Sequence, residues 1–201
     1  SIVPLIAERG FPEDRIRTIL LGVDTDYFNP GPPAARKEGP LQALLVGQTE
    51  RDHAFMADVM RRMPANHVRL SVLTPDEQKV HYRDVPGVTL LDRLSDDELV
   101  GAYRSADLLT MPMIDCTAND AILESMACGT PVLANRVGGI PEYVSASSSY
   151  MLDEKKADDW VDLLVHLSRN RQELWGRRAA VRKWAETFAW PGKAAEYRAV
   201  Y

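Results

Sequence analysis

The sequence predicts a Rossmann-like α/β fold, a three-layer α/β/α domain with a parallel sheet, and two observations predict it. Short apolar runs bounded by turn residues alternate with stretches of helical spacing, the order that a parallel sheet with crossover helices requires. One stretch shows the whole unit. Ala106 to Met113 is an apolar run, Asp120-Ala-Ile-Leu-Glu124-Ser-Met-Ala-Cys-Gly129 has helical spacing, and Val132-Leu-Ala-Asn135 is a second buried run. A loop with two adjacent glycines, Arg136-Val-Gly-Gly-Ile-Pro-Glu142, follows it.

Composition bounds the rest. A chain of 201 residues, 45% of them hydrophobic, is long enough for one full-sized core. The net charge of −5, with both signs interspersed, argues against a nucleic-acid platform. No apolar run approaches a membrane span. There is no signal peptide and no initiator methionine, so a mature or truncated N-terminus is expected. Cys116 and Cys128 have no Cys-x-x-Cys companion, and His53, His67, His81 and His166 are scattered. Neither a metal site nor a disulfide framework is expected, and a reducing cytoplasm is the default location.

Taken in order, residues 2–9 read as the end of a helix closed by Gly10, and Arg15 to Leu21 as a strand leading to Gly22-Val23-Asp24. Residues 1–28 would then be the end of an upstream domain and a crossover. Residues 29–40, with Pro30-Gly31-Pro32-Pro33, are a linker by composition. The domain proper runs over 41–187. Its first strand is Leu41 to Val46, Gly47 turns the chain, and Phe55, Met56, Val59 and Met63 space a helix over 53–63. His67 to Leu73 is the second strand, and Thr74-Pro75-Asp76-Glu77 is a capped helix start. Gly87 to Leu91 is the third strand, Asp92-Arg93-Leu94 a turn, and Ser95-Asp-Asp-Glu98 a capping box. Leu99, Ala102 and Tyr103 have ordinary core spacing. Tyr150 to Leu152 ends the sheet, and two amphipathic helices follow, one through Ala157, Trp160, Leu164 and Leu167, the other through Leu174, Val181 and Ala185. Residues 188–201 hold a final helix from Trp190 to Tyr201.

The candidate site follows from the β-α-β order. Loops at the carboxyl ends of parallel strands form the ligand crevice, and the helix entered at Asp120 points its N-terminus into it. Free N–H groups and the helix dipole suit an anion, most often phosphate. Thr117 is the expected cap, with Asp120 as its capping-box partner. Glu124 shares a face with Asp120, opposite Ile122, Leu123, Met126 and Ala127, and its carboxylate could accept two hydrogen bonds from vicinal hydroxyls as on a ribose. A solvated helix glutamate is the alternative. A phosphate could also lie on the Gly47 turn, where Gln48 follows and Arg51 is the nearest cation, unless Arg51 pairs with Asp52 or Glu50 at the surface. His53 could assist or face water. Asp115 either binds hydroxyls or caps loop amides, and Gly138-Gly139 either turns the chain or approaches a ligand.

The run from Asp120 to Val144, with Glu124-Ser-Met-Ala-Cys-Gly-Thr-Pro and Gly138-Gly139-Ile-Pro-Glu142, resembles the signature of the group 1 family of retaining nucleotide-sugar glycosyltransferases. The likeness extends through Gly22-Val-Asp-Thr-Asp-Tyr-Phe-Asn-Pro30 and Phe188-Ala-Trp190. It implies the C-terminal half of a two-domain GT-B fold, with a nucleoside diphosphate sugar as donor substrate and no cofactor or metal. It further implies roughly 150–200 residues upstream, a domain's worth, which would bind the acceptor (a saccharide, lipid or small molecule) and supply any peripheral membrane association. Residues 188–201 would return toward that domain. The resemblance assigns diphosphate stabilisation to Arg51, the ribose hydroxyls to Glu124, and the rest of donor binding to Gly47, Gln48, Arg93, Asp115, Cys116, Thr117, Ala118, Asn119, Asp120 and Ala121. The family's site has two glutamates separated by seven residues; here Cys116 occupies the place of the first, and Gln48 the place of a common arginine.

These expectations give a transferase of hexosyl type, inactive as an isolated half. The rival is a nucleotide-sugar-binding module or partner subunit that has lost transfer, motivated by Cys116 and Gln48. A pyridoxal phosphate phosphorylase ranks lower, since no lysine lies between Lys79 and Lys155.

Overall fold

The computed structural model describes residues 3–32 and 38–200. Six parallel strands form one sheet in the order β3-β2-β1-β4-β5-β6. They are β1 (Leu41–Val46), β2 (Val68–Leu73), β3 (Val88–Leu91), β4 (Leu108–Met111), β5 (Val132–Asn135) and β6 (Tyr150–Leu152). The helices are α1 (Val3–Ala7), α2 (His53–Arg62), α3 (Asp76–Lys79), α4 (Asp96–Ser105), α5 (Asp120–Ala127), α6 (Ile140–Tyr143), α7 (Ala157–Arg169), α8 (Arg171–Glu186) and α9 (Trp190–Arg198).

The central strands β1 and β4 are mostly apolar and buried at all positions but Gln42, because both faces are covered. One layer packs α2 and α7 against the sheet, with Met56, Val59, Met60, Trp160, Leu164 and Leu167 buried beside Leu45 and Leu70. The other packs α4, α5 and α8, with Tyr103, Ile122, Leu123, Met126 and Val181 buried beside Leu44, Leu109 and Ala134. Chain order reverses between the neighbours β1 and β4. Successive crossovers therefore leave in opposite directions, and the loops after these two strands part to form a crevice at their carboxyl ends.

Several expectations need correction. Residues 16–22 form no strand; a single turn of 3-10 helix spans Glu13–Arg15, and among the described residues the extended segment after it bridges another backbone only at Val23, which pairs with Ala189. An apolar run makes a strand only when another backbone pairs with it. Thr74 does not cap α3. Pro75 holds the cap position with no side-chain hydrogen bond, and the Thr74 hydroxyl turns inward to 3.3 Å from His53 Nε2. The capping box of α4 forms as read, Ser95 and Glu98 each serving the other's backbone N–H. Of the linker, residues 33–37 lie outside the described residues, as do residue 2 of the first helix and Tyr201 of the last.

The closing segment is tied to the start of the chain. Val23 N donates to Phe188 O (2.9 Å), Trp190 N donates to Val23 O (3.1 Å), and the indole of Trp190 lies over Gly22. Trp190 and Tyr197 remain exposed, at 43% and 42%.

Candidate functional site

The crevice at the β1/β4 switch is a cleft of about 490 Å³ lined by Gly47, Gln48, Thr49, Glu50, Arg51, Met113 and residues 115–120. Two loops make it, and backbone bonds zip them together. Asp52 N donates to Pro112 O and Ile114 N to Glu50 O, each at 2.8 Å, so Arg51 pairs antiparallel with Met113. Asn135 at the end of β5 fixes the far side, its amide accepting from Met113 N (2.7 Å) and donating to Met113 O (3.0 Å).

Gly47 turns out of β1 at φ +96°, a conformation suited to glycine, and the Arg51 guanidinium folds back over it. Arg51 Nε donates to Val46 O (3.2 Å), Nη1 to Thr49 O (2.6 Å) and Nη2 to Asn119 Oδ1 (3.2 Å). These contacts use three of the five guanidinium donors, leaving two N–H groups. Among the described residues Arg51 has no ion pair; Asp52 pairs instead with Lys155 and caps α2 through Phe55 N. Burial lowers Arg51 from its ordinary value, yet guanidinium stays charged in proteins.

His53 does not face water. It is 1% exposed, Nδ1 lies 2.9 Å from the Tyr82 hydroxyl and Nε2 lies 3.0 Å from Gly47 O. A carbonyl can only accept, so Nε2 carries the hydrogen and Nδ1 accepts from Tyr82. Burial lowers the imidazole pKa and raises that of the Tyr82 phenol, which keeps this arrangement neutral. His53 therefore holds the Gly47 turn in place from behind.

Across the cleft stands the N-terminus of α5. Its cap is Asn119, not Thr117: Asn119 is extended (φ −148°, ψ 108°), and its Oδ1 accepts from Ile122 N at 3.2 Å. Thr117 lies two residues too early to reach those amides, and no capping box with Asp120 forms. The same Asn119 oxygen receives Arg51 Nη2, so one side chain joins the cation to the helix end. Cap geometry leaves the N–H groups of Asp120 and Ala121 without intrahelical acceptors. Asp120 is exposed, and Ala121 is buried against the core. Asp115 Oδ1 accepts from Cys116 N (2.7 Å), the loop-capping role rather than a projecting carboxylate. Thr117 and Ala118 are exposed at the rim.

Gly138 and Gly139 brace this loop. A Cβ on Gly138 would stand 2.1 Å from Cys116 O, one on Gly139 2.3 Å from Thr117 O, and Gly139 N donates to Cys116 O at 2.6 Å. Their close approach is to backbone.

Glu124 lies one turn into α5, half-buried, and its Oε2 accepts from the Tyr103 hydroxyl at 2.8 Å. It is not a solvated helix glutamate. Burial raises its pKa, against the lowering effect of the Tyr103 bond. Arg93 is exposed in the segment between β3 and α4, which forms no turn, and does not line the cleft.

A family model described as "Glycosyl transferases group 1" matches residues 40–170. The chain belongs to this family. Similar relatives include a D-inositol 3-phosphate glycosyltransferase of Saccharomonospora viridis, 29% identical over 204 residues, covering 88% of the chain and 47% of the relative. Another of that name, from Mycobacterium tuberculosis strain F11, is 31% identical over 208 residues, covering 92% and 43%. The chain thus spans about half the length of the curated relatives it matches. Among solved structures, sucrose-phosphate synthase from Thermosynechococcus elongatus aligns at TM-score 0.79 and 17% identity, covering all of this chain and 56% of that one. Anabaena HepE in complex with UDP aligns at TM-score 0.81 and 12% identity, covering 98% and 60%. These likenesses establish the Rossmann-like half of a GT-B architecture.

In this member of the group 1 family, the supporting roles of three residues escaped the sequence reading: Asn135, Tyr82 and Tyr103. Only Tyr103 left a signal, since a tyrosine at a core position must find a partner for its hydroxyl. Cys116 sits in the cleft wall but is 6% exposed, and burial raises its thiol pKa while Arg51 opposes the shift. Maleimide at neutral pH is expected to label Cys116 at least tenfold more slowly in the folded than in the unfolded protein. Peptide mapping of the labelled site checks this, and labelling at the unfolded rate would contradict the burial.

Proposed function

We propose that the chain is the donor-binding half of a retaining, metal-independent glycosyltransferase that moves a sugar, of hexose type, from a nucleoside diphosphate to an acceptor. The observation that carries this reading is the convergence of Arg51 and the capped N-terminus of α5 on one cleft, joined through Asn119. Two spare guanidinium N–H groups and the first amides of α5 form a preorganised set of donors for a diphosphate, most valuable as the leaving group gains charge. With that charge met by protein donors, departure needs no metal.

Glu124 takes the ribose hydroxyls. Gly47 and Gln48 border the phosphates, residues 115–121 border the sugar and phosphates, and Arg93 borders the base. The acceptor is held by the half of the enzyme outside this chain, so the chain alone binds donor without turning it over. Nucleotide sugars are cytoplasmic substrates in this scheme, with any membrane association supplied by the other half. Anabaena HepE, which shares this fold, is solved in complex with UDP and with UDP-glucose, and this supports a nucleotide sugar as the donor.

Thermal shifts with UDP, GDP, ADP and their sugars test the reading. Ligand at about 100 times its dissociation constant adds roughly 2.7 kcal/mol, some 5–10 °C for a chain of this size. One nucleotide is expected to give that shift, and Glu124→Ala to remove it. A folded chain that shifts with none of them would remove the donor-binding assignment from this half.

Cys116 favours a second reading. A buried thiol stands where the family carries a sugar-binding glutamate, which suits a binding module that has lost transfer. Transfer by the full-length protein, stopped by Glu124→Ala, would eliminate this alternative.

A further inference from the structure

We propose that Tyr103 is a positioning residue for the donor: its hydroxyl holds Glu124 through Oε2 at 2.8 Å and leaves Oε1 to meet vicinal hydroxyls of the ligand. The proposal rests on the ribose role given to Glu124 above and adds the residue that makes a lone, half-buried carboxylate serviceable.

Glu124 has no ion-pair partner among the described residues. A carboxylate withdrawn from water without a cation needs a hydrogen-bond donor, or it swings to solvent or takes up a proton. Tyr103 is the donor the fold provides. Its ring is fully buried and meets Phe28 edge-on, with centroids 6.3 Å apart. Burial holds the phenol well above its ordinary pKa, so it keeps the proton it donates.

The tyrosine is itself clamped from a distant element. Thr130 Oγ1 donates to Tyr103 O (2.7 Å) and receives Arg178 Nη2 from α8 (3.2 Å). Arg178 also donates to Ala106 O (3.2 Å) and Arg104 O (3.3 Å), which secures the end of α4. A donor with a fixed backbone and a packed ring orients its acceptor, as a supporting shell must. Ordinary core packing explains the ring of Tyr103. It does not explain a buried hydroxyl that donates to Glu124, a carboxylate one turn into the helix whose N-terminus lines the cleft.

The test compares a ribonucleoside diphosphate with its 2′,3′-dideoxy analogue, using whichever of UDP, GDP or ADP binds the wild-type chain. Dissociation constants come from titration calorimetry on wild type, Tyr103→Phe and Glu124→Ala. Tyr103→Phe is expected to weaken the ribonucleotide about tenfold and to leave the dideoxy analogue unchanged. A merely structural role would weaken both ligands alike, and that result overturns the proposal, as does wild-type affinity for both. Tyr103→Met carries the same comparison if the phenylalanine variant does not fold. Should the wild-type chain bind the two ligands equally and Glu124→Ala change neither, the ribose role of Glu124 falls and the proposal falls with it. Discrimination by wild type, lost in Glu124→Ala but kept in Tyr103→Phe, overturns the Tyr103 role alone.

Discussion

Replacing Arg51 by methionine is expected to lower kcat of the full-length protein by about 10²–10³-fold, the usual cost of removing one preorganised donor from developing charge. The side chain does not reach the cleft by accident of the surface. Bonds to Val46 O, Thr49 O and Asn119 Oδ1 fix it over the Gly47 turn. Its remaining N–H groups are therefore aimed before any ligand arrives, and none of their affinity is spent on ordering the side chain. Methionine keeps much of the volume and removes every donor. Arg51→Lys is the sharper variant, because it keeps the charge but has no fork with which to hold three acceptors and a phosphate together. Lysine is expected to recover no more than about a tenth of the lost rate. Steady-state kinetics on the full-length protein, with thermal melting as a folding control, decide the matter. A methionine variant with near wild-type kcat would remove Arg51 from the diphosphate.

How much of this was legible beforehand depended on which physical force wrote each feature. β1 and β5 are read to the residue, because each is a buried apolar run stopped by a glycine or a polar residue. The segment after Arg15 is also largely apolar yet forms no strand, since a strand needs a partner and the path of the chain brings this segment to neither edge of the sheet, β3 nor β6. The cleft lining from Gly47 to Asp120 was legible through the order of elements and the family resemblance together. Its bonding was not. Thr117 and Asn119 are both good caps by composition, and only the path of the loop puts Asn119 at the helix mouth and within reach of Arg51. His53 at the start of a helix looks solvated in sequence, but Tyr82, 29 residues away, and the Gly47 carbonyl enclose it. Contacts of that range leave no periodicity to read.

The glycine pair gives the other large effect, in which local sterics decide function at a distance from the ligand. Gly138→Ala is expected to cost about 3 kcal/mol, lowering Tm by roughly 6–12 °C for a chain of this length, and to abolish nucleotide binding even at temperatures where the variant is folded. Gly138 has φ +50°, which alone disfavours a side chain, and the new methyl would stand 2.1 Å from Cys116 O and 2.7 Å from Asp115 Oδ1. The oxygen it meets belongs to backbone, so no rotamer change relieves the contact. The loop at 115–118 must move, and that loop runs directly into the Asn119 cap on which both Arg51 and the first amides of α5 depend. Gly101→Ala is the matching control. It lies inside α4 with open space where the methyl would go, and helix propensity predicts a gain of about 1 kcal/mol. Melting curves and nucleotide titration of the two variants separate the accounts. If Gly138→Ala melts and binds like Gly101→Ala, the two glycines are an ordinary turn, and the brace between the Gly138 loop and the donor loop has no functional weight.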